Sequence, residues 1–434
     1  MSRLTFVLVA GFITACGTAK STPTYEKDIK PLMEARCVSC HAQGGIAPFA
    51  LTTFEQVHAQ KDAVQAAVEA RRMPPYLAGP GCTEYADDQN LTAAEIALIG
   101  AWATGGAPQG TPTGSPTTTE ATQPSLPRVD LELAMPGPYT PVQSPDEYRC
   151  FVIDWTAQTE KYVTGFNVKP GNARVVHHVI AFLIAPDKVQ QTLDLDAAEP
   201  GPGYTCFGGP GGNNASVSWL GSWAPGGSAS MYPDNTGLLV KPGSKVVLQV
   251  HYNTAAAPEG ERADQTKVEL ALADTVQKRA WIMPWASPTW ARQRMMPIPA
   301  GESDVMHTWA LDPTQVLSYL TGGQLTNGTG FRLYAAGYHQ HLLGTKGTLQ
   351  INRADGTTEC LLDVPRWDFH WQRSYRLAKT KLFHPGDTLG ITCHWNNSQE
   401  NQPVINGSQR TAADVNWGEG TADEMCLGIF YISE

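Results

Sequence analysis

No block of lysine or arginine in this sequence is long enough to follow a phosphate backbone. Its 31 Lys and Arg are outnumbered by 41 Asp and Glu, giving a net charge of -10. Both features argue against nucleic acid as a partner. No apolar run is long enough to cross a bilayer as a helix, and the longest N-terminal one, Leu4 to Ile13, stops well short. There is no fixed-period repeat, which removes solenoids and propellers. Low complexity is confined to one stretch, 109–128. What remains is an ordinary globular mixture, 42% hydrophobic and 17% charged. At 434 residues it is too long for one core, so two or three domains are expected. The 41 Gly and 32 Pro suit many turns and short strands.

The N-terminus reads as an export signal. Arg3 supplies the charge, Leu4 to Ile13 the apolar run, and Thr14-Ala15 the small residues. Ile13-Thr14-Ala15-Cys16 resembles the bacterial lipobox, which makes Cys16 the lipidated residue and 16–24 a tether. An ordinary signal peptide with a chance Cys is the alternative. The expectation is an exported lipoprotein in the periplasm or on the outer membrane, held to the membrane by its lipid alone. Cysteine usage agrees with an oxidising compartment. Of the nine Cys, setting aside Cys16, Cys37 and Cys40 leaves Cys82, Cys150, Cys206, Cys360, Cys393 and Cys426, an even set.

Three textures follow one another. Residues 25–108 have a helical pattern, with helices expected at Glu26 to Arg36, Phe54 to Arg72, and after Thr92. There Thr92 and Glu95 form a capping box, and Gly105-Gly106 ends the helix. Residues 109–128 are a Thr/Pro-rich linker. From Val129 onward, short alternating runs separated by Gly, Pro, Asn and Asp read as an all-β region. Ser244–Tyr252 and Phe331–His341 are the clearest strands. This region is too large for one sandwich, so two are expected, 129–275 and 276–434. The fold class is therefore a small all-α domain followed by two all-β sandwiches.

Cys37-Val38-Ser39-Cys40-His41 has the spacing of c-type haem attachment. Two thiols on one helical turn add to the porphyrin vinyl groups, and the next imidazole meets the iron. A CxxC disulfide or a metal clip is the alternative. Met73, in Arg72-Met73-Pro74-Pro75, is the expected sixth ligand, held by a stiff Pro-rich loop. His58, inside a helical run, competes for that role but reads as a surface residue. Residues 25–108 resemble small c-type cytochrome domains.

The β region carries His177-His178, then His251 in Leu248-Gln249-Val250-His251-Tyr252, then His339-Gln340-His341. On a strand His339 and His341 share a face, about 6–7 Å apart at Cα, which suits two ligands of one ion. His251 falls opposite Val246, Leu248 and Val250. Adjacent His177 and His178 need a bulge or strand end to serve one ion. Imidazoles alone suit zinc or copper, whereas a thioether selects Cu(I). Met425, in Asp423-Glu424-Met425-Cys426, is the candidate thioether, with a plain core Met as the alternative.

The order HH, VLQVHY, HxH, DEMC, with Tyr148-Arg149-Cys150 ahead of the HH pair and Ser222-Trp223-Ala224-Pro225 ahead of VLQVHY, resembles the copper type II, ascorbate-dependent monooxygenases. This family includes peptidylglycine α-hydroxylating and dopamine β-monooxygenases. The resemblance covers 129–434 and implies two jelly-roll-like sandwiches, each holding one copper ion across a solvent cleft. It implies an electron-transfer copper on His177, His178 and His251. It also implies an O2-binding, catalytic copper on His339, His341 and Met425. Disulfides Cys150–Cys206 and Cys393–Cys426 are implied too, leaving Cys82 and Cys360 to pair if all six are oxidised. Gly337 stands where the peptide hydroxylase has a carboxylate-gripping Arg, and Ile429 where it has a Tyr, so the peptide substrate does not carry over. His307, His370, His384 and His394 match no ligand motif and read as structural or surface residues.

Together these readings predict a copper monooxygenase acting on a small molecule with O2. Its electrons would come from ascorbate or a redox protein, with the haem feeding the all-histidine copper. The rival expectations are a haem and copper electron-transfer or copper-binding protein without oxygenase chemistry, and a surface binding module.

Overall fold

The computed structural model describes residues 22–43, 47–112, 125–144, 146–206, 209–211, 218–224, 229–233, 235–254, 257–405, 408–418 and 422–434. The expected export signal, the expected lipobox with Cys16, and most of the expected linker lie outside these residues. Among the described residues no helix is long and apolar enough to cross a membrane.

Five short helical segments, Tyr25–Ile29, Lys30–Arg36, Phe54–Ala59, Lys61–Glu69 and Ala93–Thr104, surround a small core. Ile29, Met33, Val57, Val64, Val68, Ile99 and Trp102 fill it. The Thr92–Glu95 capping box forms, and Ala93–Thr104 ends at Gly105. The single helix expected over Phe54–Arg72 is instead two. Gln60 leaves helical geometry (φ -106°, ψ 8°), and Thr53 makes its own capping box with Gln56. The second helix stops at Glu69, two residues before Arg71 takes a left-handed φ of 51°.

The β region is built from three principal sheets. A five-stranded sheet runs in the order Tyr204–Thr205, Asp146–Asp154, Lys245–Asn253, Val176–Ile184, Ser218–Trp223. A four-stranded sheet runs Val305–Leu311, Thr388–Trp395, Gly344–Asn352, Thr358–Val364. Between them lies one nine-stranded sheet that serves both sandwiches. Its halves join where Thr236–Val240 pairs in parallel with Lys278–Trp285. The expectation of two sandwiches is thus met with one difference: they share a continuous sheet. Tyr431, on the C-terminal strand Leu427–Ser433, is buried in the first core, and its hydroxyl lies 2.9 Å from Thr236 Oγ1.

Alternation decides which side chains meet. On Lys245–Asn253, Val246, Leu248 and Val250 are fully buried in the first core, while Gln249 and His251 point to the other face. Burying each such aliphatic side chain contributes about 1.5–3 kcal/mol. The second core is aromatic-rich, with Trp281, Trp285, Phe331, Phe383, Trp395 and Phe430.

The helical unit is not a bead on a string. Tyr76, Leu77, Ala78 and Tyr85 are buried in the second sandwich's own core. Backbone hydrogen bonds tie Gly79 to Asp363, Ala86 to Arg376 and Ala378 to Glu84. The disulfide Cys82–Cys360 closes the same contact. Cys150–Cys206 and Cys393–Cys426 pair within the β region.

Candidate functional site

A β-bulge creates the first half of the site. Val176 pairs with Tyr252 and His178 with His251, so His177 is the extra residue on its strand. The adjacent pair needs such a bulge to face one point. His177, His178 and His251 converge, their ligand atoms within 4.8 Å of one another. His251 Nδ1 lies 3.1 Å from His177 Nδ1 and 3.2 Å from His178 Nδ1. Nitrogens bound to one ion at 2.0–2.1 Å with tetrahedral angles sit roughly 3.3 Å apart, so the two Nδ1 separations from His251 already match those around a metal. Asp146 Oδ1 accepts from His251 Nε2 at 2.8 Å, which assigns the proton to Nε2 and leaves Nδ1 as the ligand atom. Tyr148 stacks flat on His251, with ring centres 4.2 Å apart.

Burial, then the neighbouring His251 and His370, pushes the His177 pKa down to about 3. Burial also drives His178 well below the usual histidine range and lowers His251. All three are therefore neutral near pH 7, with lone pairs free for an ion.

The second half comes from the end of Phe331–His339. His339 closes the strand and His341 follows it, with ring centres 5.0 Å apart. Gln340 between them is buried and donates to His394 O, pointing away. Gln372 Oε1 accepts from His339 Nδ1 at 2.7 Å, and Asp423 O accepts from His341 Nδ1 at 3.0 Å. Both rings therefore offer Nε2, unlike the Nδ1 set opposite. Burial, and then the charge of His341, pushes His339 down to about 3.

Met425 lines the same cavity as His339 and His341. What brings them together is Glu424, which sequence reading missed as a site residue. Its fully buried carboxyl accepts from the backbone N–H of His341, Leu343 and Met425 and from Trp395 Nε1. Burial pushes its pKa up to about 7 against those four donors. The disulfide of Cys426 to Cys393 fixes the next residue.

The segment 366–376 was also missed, although its density of aromatic and polar residues (Trp367 to Tyr375) was a visible signal. Trp367 Nε1 donates to His341 O at 3.0 Å. Phe369 stands between the two histidine sets, its ring centre 6.3 Å from His177, 6.1 Å from His251 and 6.0 Å from His341. His370 is exposed, as expected, but its ring lies 5.6 Å from His177, and it pairs with Asp368. His307 and His394 are held by Pro297 O and Asp304, away from either set. One cavity is lined by His178, His339, His341 and Met425 together.

The Cys37–His41 motif forms a turn after Lys30–Arg36, with His41 N donating to Cys37 O at 2.9 Å. Cys37 and Cys40 are free thiols rather than a disulfide. Burial raises both, Cys37 to about 12. His41 Nδ1 lies 2.9 Å from Phe49 O, to which it donates, so the ring's lone pair is on Nε2. Met73 is half-buried, just before the Tyr76–Ala78 stretch that enters the second core. His58 is exposed and packs beside Phe54.

Two family models match the chain. The copper type II ascorbate-dependent monooxygenase N-terminal domain covers residues 131–258, and the corresponding C-terminal domain covers 323–433. Together they take in more than half of the sequence. The chain is 26% identical to dopamine beta-hydroxylase of Homo sapiens over 277 residues, 61% of this chain and 39% of that one. It is 24% identical to tyramine beta-hydroxylase of Caenorhabditis briggsae over 300 residues, 63% of this chain and 41% of that one. A third relative, DBH-like monooxygenase protein 1 of Gallus gallus, is 22% identical over 297 residues, 64% of this chain and 43% of that one. The chain thus spans about two fifths of the length of these relatives.

Proposed function

Because this chain belongs to the copper type II ascorbate-dependent monooxygenase family, we propose that it hydroxylates a C–H bond of a small molecule with O2, using two copper ions and a c-type haem. The observation that carries this reading is the single cavity on which His178, from one histidine set, meets His339, His341 and Met425 from the other. In the balanced reaction one oxygen atom enters the C–H bond. The other leaves as water, with two electrons and two protons supplied from outside.

His177, His178 and His251 would hold one ion through Nδ1. His339 and His341 through Nε2, with Met425, would hold the other, where a thioether favours Cu(I). When bound, copper supplies one-electron transfers and a place for O2. The protein residues do the rest: Asp146 and Gln372 fix imidazole tautomers, Glu424 holds the HxH turn against Met425, and Trp219, Trp223 and Trp417 give the cavity apolar walls.

Free Cys37 and Cys40, with His41 anchored on Phe49 O, fit covalent haem attachment, with Met73 as the second axial residue. The proposed domains are 25–108 for haem and 129–275 and 276–434 for copper. The haem would relay electrons from ascorbate or a redox protein. The contact supporting this is the 366–376 segment, which packs on the helical unit and reaches both histidine sets. Three disulfides agree with export, and Cys16 is the proposed lipid site.

The test is metal analysis followed by a product screen for addition of one oxygen atom. The reading requires two coppers and one haem per chain. It also requires copper-dependent O2 consumption that disappears in Met425→Ile while the all-histidine copper stays. Copper uptake without O2 consumption would instead mark an electron-transfer or copper-binding protein. Normal turnover of a haem-free His41→Ala chain with its reductant would remove the haem from the reaction.

A further inference from the structure

The cavity between the histidine sets is walled by aromatic side chains, Trp219, Trp223, Tyr148 and Phe182 from the first sandwich and Tyr338 and Trp417 from the second. Setting its histidines aside, Arg373 is the one lining residue with a formal charge, and no Asp, Glu or Lys lines it among the described residues. An ammonium group entering this space would find no counter-charge on its walls. A carboxylate would find a guanidinium.

Arg373 is held ready for such a partner. Its Nη1 donates to the neutral Gln89 Oε1 at 3.0 Å. Its guanidinium lies over Tyr76 at 5.3 Å and beside Tyr375 at 5.8 Å. Cation–π packing of this kind fixes the planar fork without consuming its charge. Asp87, on the adjoining recess, is taken by Arg376 at 3.2 Å. Among the described residues Arg373 makes no ion pair. Gln89 and Tyr76, the latter lining the adjoining recess, both come from the segment that Cys82–Cys360 pins to the second sandwich, so the helical unit sets the position of the guanidinium.

We infer that the substrate is a small aromatic molecule bearing a carboxylate, which Arg373 grips while the ring lies against the tryptophan-lined walls. This rests on the proposed role of the cavity as the oxygenation site. It sets the chain apart from relatives whose names specify the amines dopamine and tyramine. A preorganised Arg–carboxylate pair beside aromatic walls gives both affinity and orientation.

The experiment is calorimetric titration of the full-length protein with three probes that differ in one group: 3-(4-hydroxyphenyl)propionate, its amide, and tyramine. The acid should bind at least about tenfold more tightly than the other two. Arg373→Gln should bring the acid to the level of the amide. Should that variant fail to fold, Arg373→Lys is read instead, where a weakened but surviving preference for the acid supports the inference and unchanged affinity overturns it. Equal binding of all three probes, tighter binding of the amine, or no acid-selective binding overturns it. Because Cys40 is close enough to feel the charge of Arg373, a haem propionate is the other source of a carboxylate. The titration is repeated with a Cys37→Ala, Cys40→Ala chain. Acid selectivity that emerges only without covalent haem assigns Arg373 to the haem and overturns the inference. Copper content is measured on the same samples. Loss of copper would sink the monooxygenase reading while leaving the selectivity measurable, and lack of selectivity with two coppers bound would sink only the substrate class.

Discussion

Gln372 Oε1 sits 2.7 Å from His339 Nδ1, and the orientation of that amide is fixed because its Nε2 donates to Phe369 O at 2.8 Å. The oxygen accepts, so His339 carries its proton on Nδ1 and offers Nε2. A polar residue 33 positions away thus decides which nitrogen of His339 can bind an ion. Removing it frees the ring to rotate and to change tautomer. Gln372→Leu should therefore weaken copper at the His339, His341 and Met425 site by about 10–100-fold, with the all-histidine site unaffected. Competition titration against a copper chelator, resolving two equivalents, checks this. Equal loss at both sites would mean the variant has disturbed the cavity as a whole.

Glu424 should matter for a different reason. Its carboxyl serves four buried N–H groups at once, three of them on the backbone around His341 and Met425. Glu424→Ala leaves those donors without an acceptor in a place water does not readily reach. The expected cost is roughly 3 kcal/mol or more of stability, with loss of the second copper equivalent. Denaturant unfolding and metal analysis read the two effects separately. A variant that unfolds normally and binds both ions would show that the turn is held by other contacts.

Chemistry that depends on local spacing was legible in the sequence, and chemistry that depends on distant partners was not. The Cys37–His41 turn, the capping box at Thr92 and the placement of His251 opposite Val250 follow from helical and strand periodicity alone. The need for a bulge at His177 could be stated, because two adjacent strand residues cannot face one way, and the bulge is there. Glu424, Gln372 and Phe369 were invisible because each acts across a fold-generated gap, Glu424 on a residue 83 positions away. The shared nine-stranded sheet was hidden too. It depends on only two residue pairs, Lys278 with Thr236 and Arg279 with Gly237, which leave no mark on composition. The docking of residues 76–89 was legible only as far as the Cys82–Cys360 pair left over among six cysteines, which the structure forms, since Pro-rich sequence signals a loop but not what the loop lies on.

Cys82–Cys360 joins residues 278 positions apart and holds the helical unit on the second sandwich. Its removal should cost about 2–4 kcal/mol, the usual range for a bridge closing a long loop. The buried Tyr76, Leu77 and Tyr85 should still keep the unit docked most of the time. Cys82→Ser, Cys360→Ser is thus expected to fold, melt a few degrees lower, and become open to limited proteolysis between residues 76 and 90. Unchanged protease resistance would show that the aromatic contacts suffice.

The acid limit of stability should depend on a network remote from the cavity. Asp387 is buried, which alone would raise its pKa. Hydrogen bonds from Arg353 and from the backbone N–H of Ala354 and His384 outweigh this and hold it below the usual carboxylate range. A carboxyl whose folded pKa is depressed stabilises the fold fully above its unfolded pKa, near 3.9, and loses that contribution as pH falls through the folded value. Asp387→Asn should therefore cost about 1–3 kcal/mol at neutral pH and flatten the fall in stability below about pH 4. Unfolding curves from pH 7 down to pH 2.5 read both. A variant as stable as the parent at pH 7, with the same acid slope, would show that Arg353 is satisfied by Glu359 alone.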